Sequence, residues 1–240
     1  MYRDLVDLLE APTDRLDLIM IPKAGNHSDV YAVDMLVTHI EAAMGRKKPI
    51  GFQLMIETAH GLANIHEIAA ASPRNESLHL GQNDLAASLG AKMTKVGGPN
   101  PNYHVLIDSD VGADRERHWG DMWHYAIARL VTASRAAGLR PVDGPFLDVT
   151  DDEGYRAAAN RACVLGCEGK WTTNEDVTQI ANDVFSPSPE AVEQARRVLE
   201  AAAESERTGG GVAMLDGKPI YLPQVKQARM LVDQATMLGI

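Results

Sequence analysis

Two carboxylates stand where parallel α/β proteins do their chemistry. Glu57 directly follows the apolar run GFQLMI, and Asp84 follows ESLHL across the turn Gly81-Gln82-Asn83. Both runs read as strands, over 49–56 and 76–80. Strands joined by helical crossovers lie parallel, and in barrels their C-terminal ends form the active face. Adjacent strands would therefore bring Glu57 and Asp84 together. A pair of hard oxygen ligands suits Mg²⁺, which keeps water and substrate oxygens as its remaining ligands. The pattern also allows a purely local reading, with Glu57 capping a helix at ETAHG and Asp84 capping DLAASLG.

Lys23, in IPKAGN after the run LDLIMI, could hold a phosphate or an acyl carboxylate on the same face; otherwise it is a solvated loop lysine. Asp143, in VDGPF, lies in or at the end of a strand. A buried Asp needs partners, so it either supports the substrate site or turns the chain before Gly144. His60 and His66 are six residues apart and do not share a helical face, so they suggest no zinc site. Cys163 and Cys167 have no second pair at zinc-binding spacing and read as buried thiols at a helix–strand junction.

The elements that must position these residues alternate. Strands are expected at 16–21, 49–56, 76–80, 141–147 and 167–171, and helices at 28–44, 60–71, 119–137 and 153–165. Asn26 or Ser28 is available to cap the first of these helices. The stripe Trp123, Ala126, Ile127, Leu130, Val131 and Ser134 has helical spacing, and Gly138 ends it. Such a βα repeat implies a parallel sheet. The stretch 92–117, rich in Gly, Pro and Asp, reads as an irregular insertion or lid loop. From Ser186 the composition shifts: an Ala/Glu/Arg-rich helix from Ser188 to about Arg207, the Gly209–Gly211 hinge, a short β-like piece, and a last helix over 223–238. Two parts are expected, a barrel domain over 1–185 and a C-terminal extension over 186–240.

The chain has 240 residues, 45% hydrophobic and 23% charged, with a formal net charge of −10. That is ordinary for a globular protein. The acidic balance, with Arg46-Lys47-Lys48 as the nearest basic run, argues against a nucleic-acid partner. No apolar run approaches membrane-span length, so no membrane partner is expected. The N-terminal segment, acidic and without a signal-peptide pattern, makes the cytoplasm the expected address.

The segments IPKAGN, IGFQLMIETAHGLANIHEIAAASPRNESLHLGQNDLAAS, HWGDMWHYAIARLVTASRAAGLRPVDGPF and GCEGKW resemble the malyl-CoA and β-methylmalyl-CoA lyase branch of the HpcH/HpaI aldolase and citrate lyase β-subunit-like family. The resemblance runs from near residue 4 to near residue 235. It implies a TIM (β/α)₈-type barrel with a C-terminal helical lid that covers a neighbouring subunit's site in a homo-oligomer, a trimer or hexamer. It implies that Glu57 and Asp84 hold Mg²⁺, with Mn²⁺ as a substitute. The implied substrates are CoA thioesters of small hydroxy acids, cleaved to glyoxylate and acetyl-CoA or propionyl-CoA.

Three departures from the family pattern stand out. The first segment looks like the family's third helix entering its fourth strand. The barrel is therefore expected to be incomplete, with about five strands and no counterpart of the family's third-strand arginine. Thr173-Asn174-Glu175 stands where the family has an Ile-His-Pro run. Tyr221 replaces the last Asp of the lid motif, while Asp216 keeps the motif's turn aspartate. These departures define the alternative, a catalytically impaired relative or partner subunit of such a lyase. A plain nucleotide-binding α/β module is a third class, but neither a G-x-G-x-x-G nor a Walker loop is present.

Overall fold

A computed structural model of the protein describes residues 2–11, 15–107 and 115–240, with Trp119 described by its backbone only. Cα proximity divides the chain into two units, Met1–Ala181 and Asn182–Ile240.

In the first unit, helix α1 (Tyr2–Glu10) precedes β1 (Leu18–Ile21), α2 (His27–Met44) and β2 (Gly51–Ile56). The short helices α3 (Ala59–Ala63) and α4 (Ile65–Ala69) lead to β3 (Asn75–Leu80) and α5 (Gln82–Leu89). A hairpin, β4 (His104–Ile107) and β5 (Glu116–Trp119), follows. Then come α6 (His124–Ala137), β6 (Arg140–Asp143), α7 (Asp152–Leu165), β7 (Gly169–Lys170) and α8 (Glu175–Phe185), which crosses the boundary between the units.

The main sheet has five strands in the order β1-β2-β3-β6-β7, every neighbouring pair parallel. This is an α/β architecture of the TIM-barrel type, and the barrel is not closed. Strand β2 shows why the sequence folds this way. Phe52, Leu54 and Ile56 are fully buried, and Met55 on the other face is nearly so. Such a strand is stable only when covered on both faces, as parallel sheets are. Val30, Val33 and Val37 of α2, Ile65 and Ile68 of α4, Ile127 and Leu130 of α6, and Ala159 and Ala162 of α7 supply buried apolar faces.

The five expected strands form, in the expected order, with ends that differ from expectation by up to four residues. Three expectations need correction. The helix expected over 60–71 breaks at Asn64, whose amide Nδ2 donates to the Gly25 carbonyl at 3.0 Å. Asn competes with the helix for hydrogen bonds, and here tertiary contact wins. The helix expected from residue 119 starts at His124, because residues 116–119 pair with β4. The stretch 92–117 is consequently less irregular than its composition suggests, although residues 108–114 lie outside the described part.

The second unit holds the end of α8, α9 (Pro189–Arg207), the hairpin β8 (Met214–Leu215) and β9 (Lys218–Pro219), and α10 (Leu222–Leu238). Ser188 caps α9 by accepting from Ala191 N at 3.1 Å. Asp216 and Gly217 turn the hairpin with φ of 50° and 75°, as a tight hairpin turn requires. The Asp216 carboxylate pairs with Arg197 at 2.6 Å.

Candidate metal centre

Neither carboxylate caps a helix. Thr58 caps α3, accepting from Gly61 N at 2.9 Å through Oγ1, and Gly81 occupies the N-cap of α5. Glu57 is left at the end of β2, and Asp84 lies in the first turn of α5, just past the end of β3. The two strands are parallel neighbours, with Ile56 opposite Leu80. Both carboxylates therefore come to the C-terminal edge of the sheet.

Lys23, just past the end of β1, touches both. Its backbone N–H donates to Glu57 Oε1 at 3.0 Å, and its Nζ pairs with Asp84 Oδ1 at 3.1 Å. Lys23 is held in the left-handed region at φ 54°, which an L-residue adopts at a cost of roughly 1–2 kcal/mol. That strain aims the N–H at Glu57 while the side chain reaches Asp84. Of the four residues singled out by sequence, Lys23, Glu57 and Asp84 form one cluster.

The electrostatics of the cluster suit a cation. Burial pushes the Glu57 carboxyl above its ordinary range; the Lys23 N–H opposes the shift and the charge of Asp84 adds to it. Lys23 is held more strongly protonated by its hydrogen bond and charge contact with Asp84. Two close carboxylates, one of them desolvated, are stabilised by positive charge between them. Among the described residues no group of three or more His, Cys, Asp or Glu gathers as a metal cage. Two hard oxygen donors at an open edge fit Mg²⁺, whose other positions go to water or substrate, better than a closed zinc site.

Asp143 is placed differently. Its side chain is fully buried at the end of β6 and ion-paired to the equally buried Lys170 at 2.6 Å. Its second oxygen accepts from Gln82 Nε2 at 2.8 Å. With its side chain fully buried among these partners, Asp143 can act on a bound substrate only through other residues. Its connection to the cluster runs through Gln82, the first residue of α5. Gly144 makes this approach possible, since a Cβ there would overlap the Leu80 carbonyl and the Gln82 side chain.

Sequence reasoning missed Lys170, Gln82 and His79. His79 is buried in β3, accepts from Trp171 Nε1 at 2.8 Å through Nδ1, and lies 2.8 Å from Ser77 Oγ through Nε2. Burial pushes its pKa down to about 4. For His79 the one available signal was a polar residue between the apolar Leu78 and Leu80 of a short strand. Of the departures from the family pattern, Asn174 caps α8 by accepting from Val177 N at 3.0 Å. Tyr221 sits exposed at the N-cap of α10. His60 and His66 fall in separate short helices. Both cysteines are free thiols; Cys167 is buried as expected, whereas Cys163 is only half-buried.

Comparison with known proteins agrees with this layout. The sequence model of the HpcH/HpaI aldolase/citrate lyase family matches residues 6–175. The chain is 48% identical over 238 residues to an L-malyl-CoA/β-methylmalyl-CoA lyase of Cereibacter sphaeroides, covering 99% of this chain and 73% of that one. It is 43% identical over 237 residues to a malyl-CoA/β-methylmalyl-CoA/citramalyl-CoA lyase of Chloroflexus aurantiacus, covering 98% and 67%. In fold it is similar to a citrate lyase of Burkholderia xenovorans, with a TM-score of 0.80 at 17% identity, over 99% of this chain and 69% of that one. It is also similar to CitE of Mycobacterium tuberculosis, whose structure holds magnesium, acetoacetate and coenzyme A. That TM-score is 0.66 at 24% identity, over 98% and 73% of the two chains.

Proposed function

The chain belongs to the HpcH/HpaI aldolase/citrate lyase family, and from that premise we propose that it is a Mg²⁺-dependent carbon–carbon lyase acting on CoA thioesters of small hydroxy acids. Malyl-CoA would give glyoxylate and acetyl-CoA, and β-methylmalyl-CoA would give glyoxylate and propionyl-CoA. One observation carries the reading: Glu57, Asp84 and Lys23 converge at the C-terminal ends of neighbouring strands. They do so in a chain 48% identical to a lyase of those two thioesters.

In the reaction the hydroxyl group of the thioester loses its proton and becomes the carbonyl of glyoxylate. The adjacent C–C bond breaks, its electron pair passes into the thioester enolate, and the enolate is protonated at carbon. Mg²⁺, held by Glu57 and Asp84, would polarise the oxygen on the two-carbon fragment. Mn²⁺ meets the same donors. Lys23 adds a positive charge on the same face, suited to the carboxylate of the hydroxy acid. Asp143 and Gln82 support the first turn of α5 from below. The second unit serves as a lid or oligomer contact, the protein works as a homo-oligomer, and its address is the cytoplasm.

The test is calorimetric titration with Mg²⁺ together with glyoxylate release from malyl-CoA. Glu57→Gln and Asp84→Asn should each abolish metal binding and lower the rate by at least about 10²-fold. Unchanged Mg²⁺ affinity in both variants would refute the site.

A further inference from the structure

Beneath the carboxylate cluster lies an ion pair that the reaction does not directly use. Lys170 and Asp143 are both fully buried, 2.6 Å apart. Replacing such a pair by apolar residues is commonly neutral or stabilising, so its presence is weak evidence for a stabilising role. Its geometry shows what else it does. Lys170 Nζ donates to Asp143 Oδ2 and, at 2.7 Å, to the Gly144 carbonyl, with the Tyr155 ring face 5.8 Å away. Asp143 Oδ1 is thereby turned toward Gln82 Nε2 at 2.8 Å. Gln82 is fully buried and opens α5, and Asp84 follows two residues later in the same turn. Asp84 itself is 45% exposed, and among the described residues its ion-pair partner is the flexible, exposed Lys23 side chain. The direction of Asp84 is therefore set by the first turn of α5.

We propose that Lys170 is a positioning residue: through Asp143 and Gln82 it locks the first turn of α5 to the ends of β6 and β7 and so fixes Asp84 facing Glu57. This rests on the reading of Glu57 and Asp84 as metal ligands.

The probe is Mg²⁺ alone, titrated calorimetrically into the full chain, with near-UV circular dichroism and thermal midpoints recorded alongside. Gln82→Met removes the donor at nearly constant length. K170M/D143L removes both charges together and leaves no unpaired ion. Each should weaken Mg²⁺ binding about 10–100-fold, the range seen when groups that orient metal ligands are removed. Adding Gln82→Met to K170M/D143L should weaken it little further, because both break the same chain of contacts. A merely structural role would shift the thermal midpoint and leave the affinity alone. Mg²⁺ affinity within about twofold of the parent in both folded variants would overturn the proposal, provided Glu57→Gln and Asp84→Asn do abolish binding. If those two variants bind Mg²⁺ like the parent, the ligand assignment falls first and the positioning role falls with it.

Discussion

At the scale of single residues, burial works on two titrating groups in opposite ways. Glu57 has its folded-state pKa raised above the ordinary 4.5, chiefly by desolvation. Its ionised form is therefore penalised by folding at high pH, and the penalty disappears as pH falls below the unfolded value. Glu57→Gln keeps an acceptor for the Lys23 N–H. It should raise the urea midpoint of the metal-free protein at pH 8 and lose that advantage near pH 4.5. A gain that persists unchanged to pH 4 would contradict the burial argument. His79 runs the other way. Its pKa falls from 6.5 to about 4, so the unfolded chain binds the proton more readily between those values. The stability contribution is complete above pH 6.5 and is lost as pH falls toward 4, by roughly 3 kcal/mol at most. Trp171 donates to Nδ1, which places the proton on Nε2 facing Ser77. His79→Gln should flatten the stability profile between pH 6.5 and 4.5, measured by denaturant unfolding.

At the scale of elements, Arg74 ties α2 to the entry of β3. Its guanidinium pairs with Asp34 at 2.7 Å and Glu41 at 2.6 Å, and donates to the Ile50 carbonyl at 3.0 Å. Glu41 also accepts from Ile50 N at 2.7 Å, so a single network sets the start of β2 against α2. All three charged side chains are largely buried. Removing one partner of such a network costs about 3–5 kcal/mol, because the remaining charges stay buried and unpaired. Arg74→Met should lower stability by that order, read from the urea midpoint. A loss below about 1 kcal/mol would mean that water reaches the two carboxylates. This network lies at the N-terminal end of the strands, opposite the carboxylate cluster, so Mg²⁺ affinity of the folded variant should stay close to the parent's.

At the scale of the whole molecule, the five-stranded parallel sheet ends in β1 on one side and β7 on the other. Unpaired strand edges invite pairing with another chain. Val105, Leu106 and Ile107 add a run of exposed apolar residues along β4. Both features favour association, and the family resemblance implies a trimer or hexamer. Sedimentation velocity over a hundredfold concentration range checks this, and a monomer throughout would count against it. Among the described residues, no helix is long and apolar enough to cross a membrane.

The sequence alone determined the number and order of the parallel strands, since alternating apolar runs and helical stripes admit few other folds. It determined that Glu57 and Asp84 follow consecutive strands. It also marked the composition shift near residue 186, close to the boundary at Ala181 between the two units. Only the tertiary structure decided which local reading of those carboxylates holds. Thr58 and Gly81 take the cap positions, because the backbone geometry that frees Glu57 and Asp84 depends on neighbouring strands. Only the tertiary structure put Lys23 between them and Asp143 out of reach. The partners of Asp143 lie 27 and 61 residues away, at Lys170 and Gln82. Strand spacing gives no sign of a contact made between side chains so distant in sequence; it exists because parallel packing brings the ends of β3, β6 and β7 to one place.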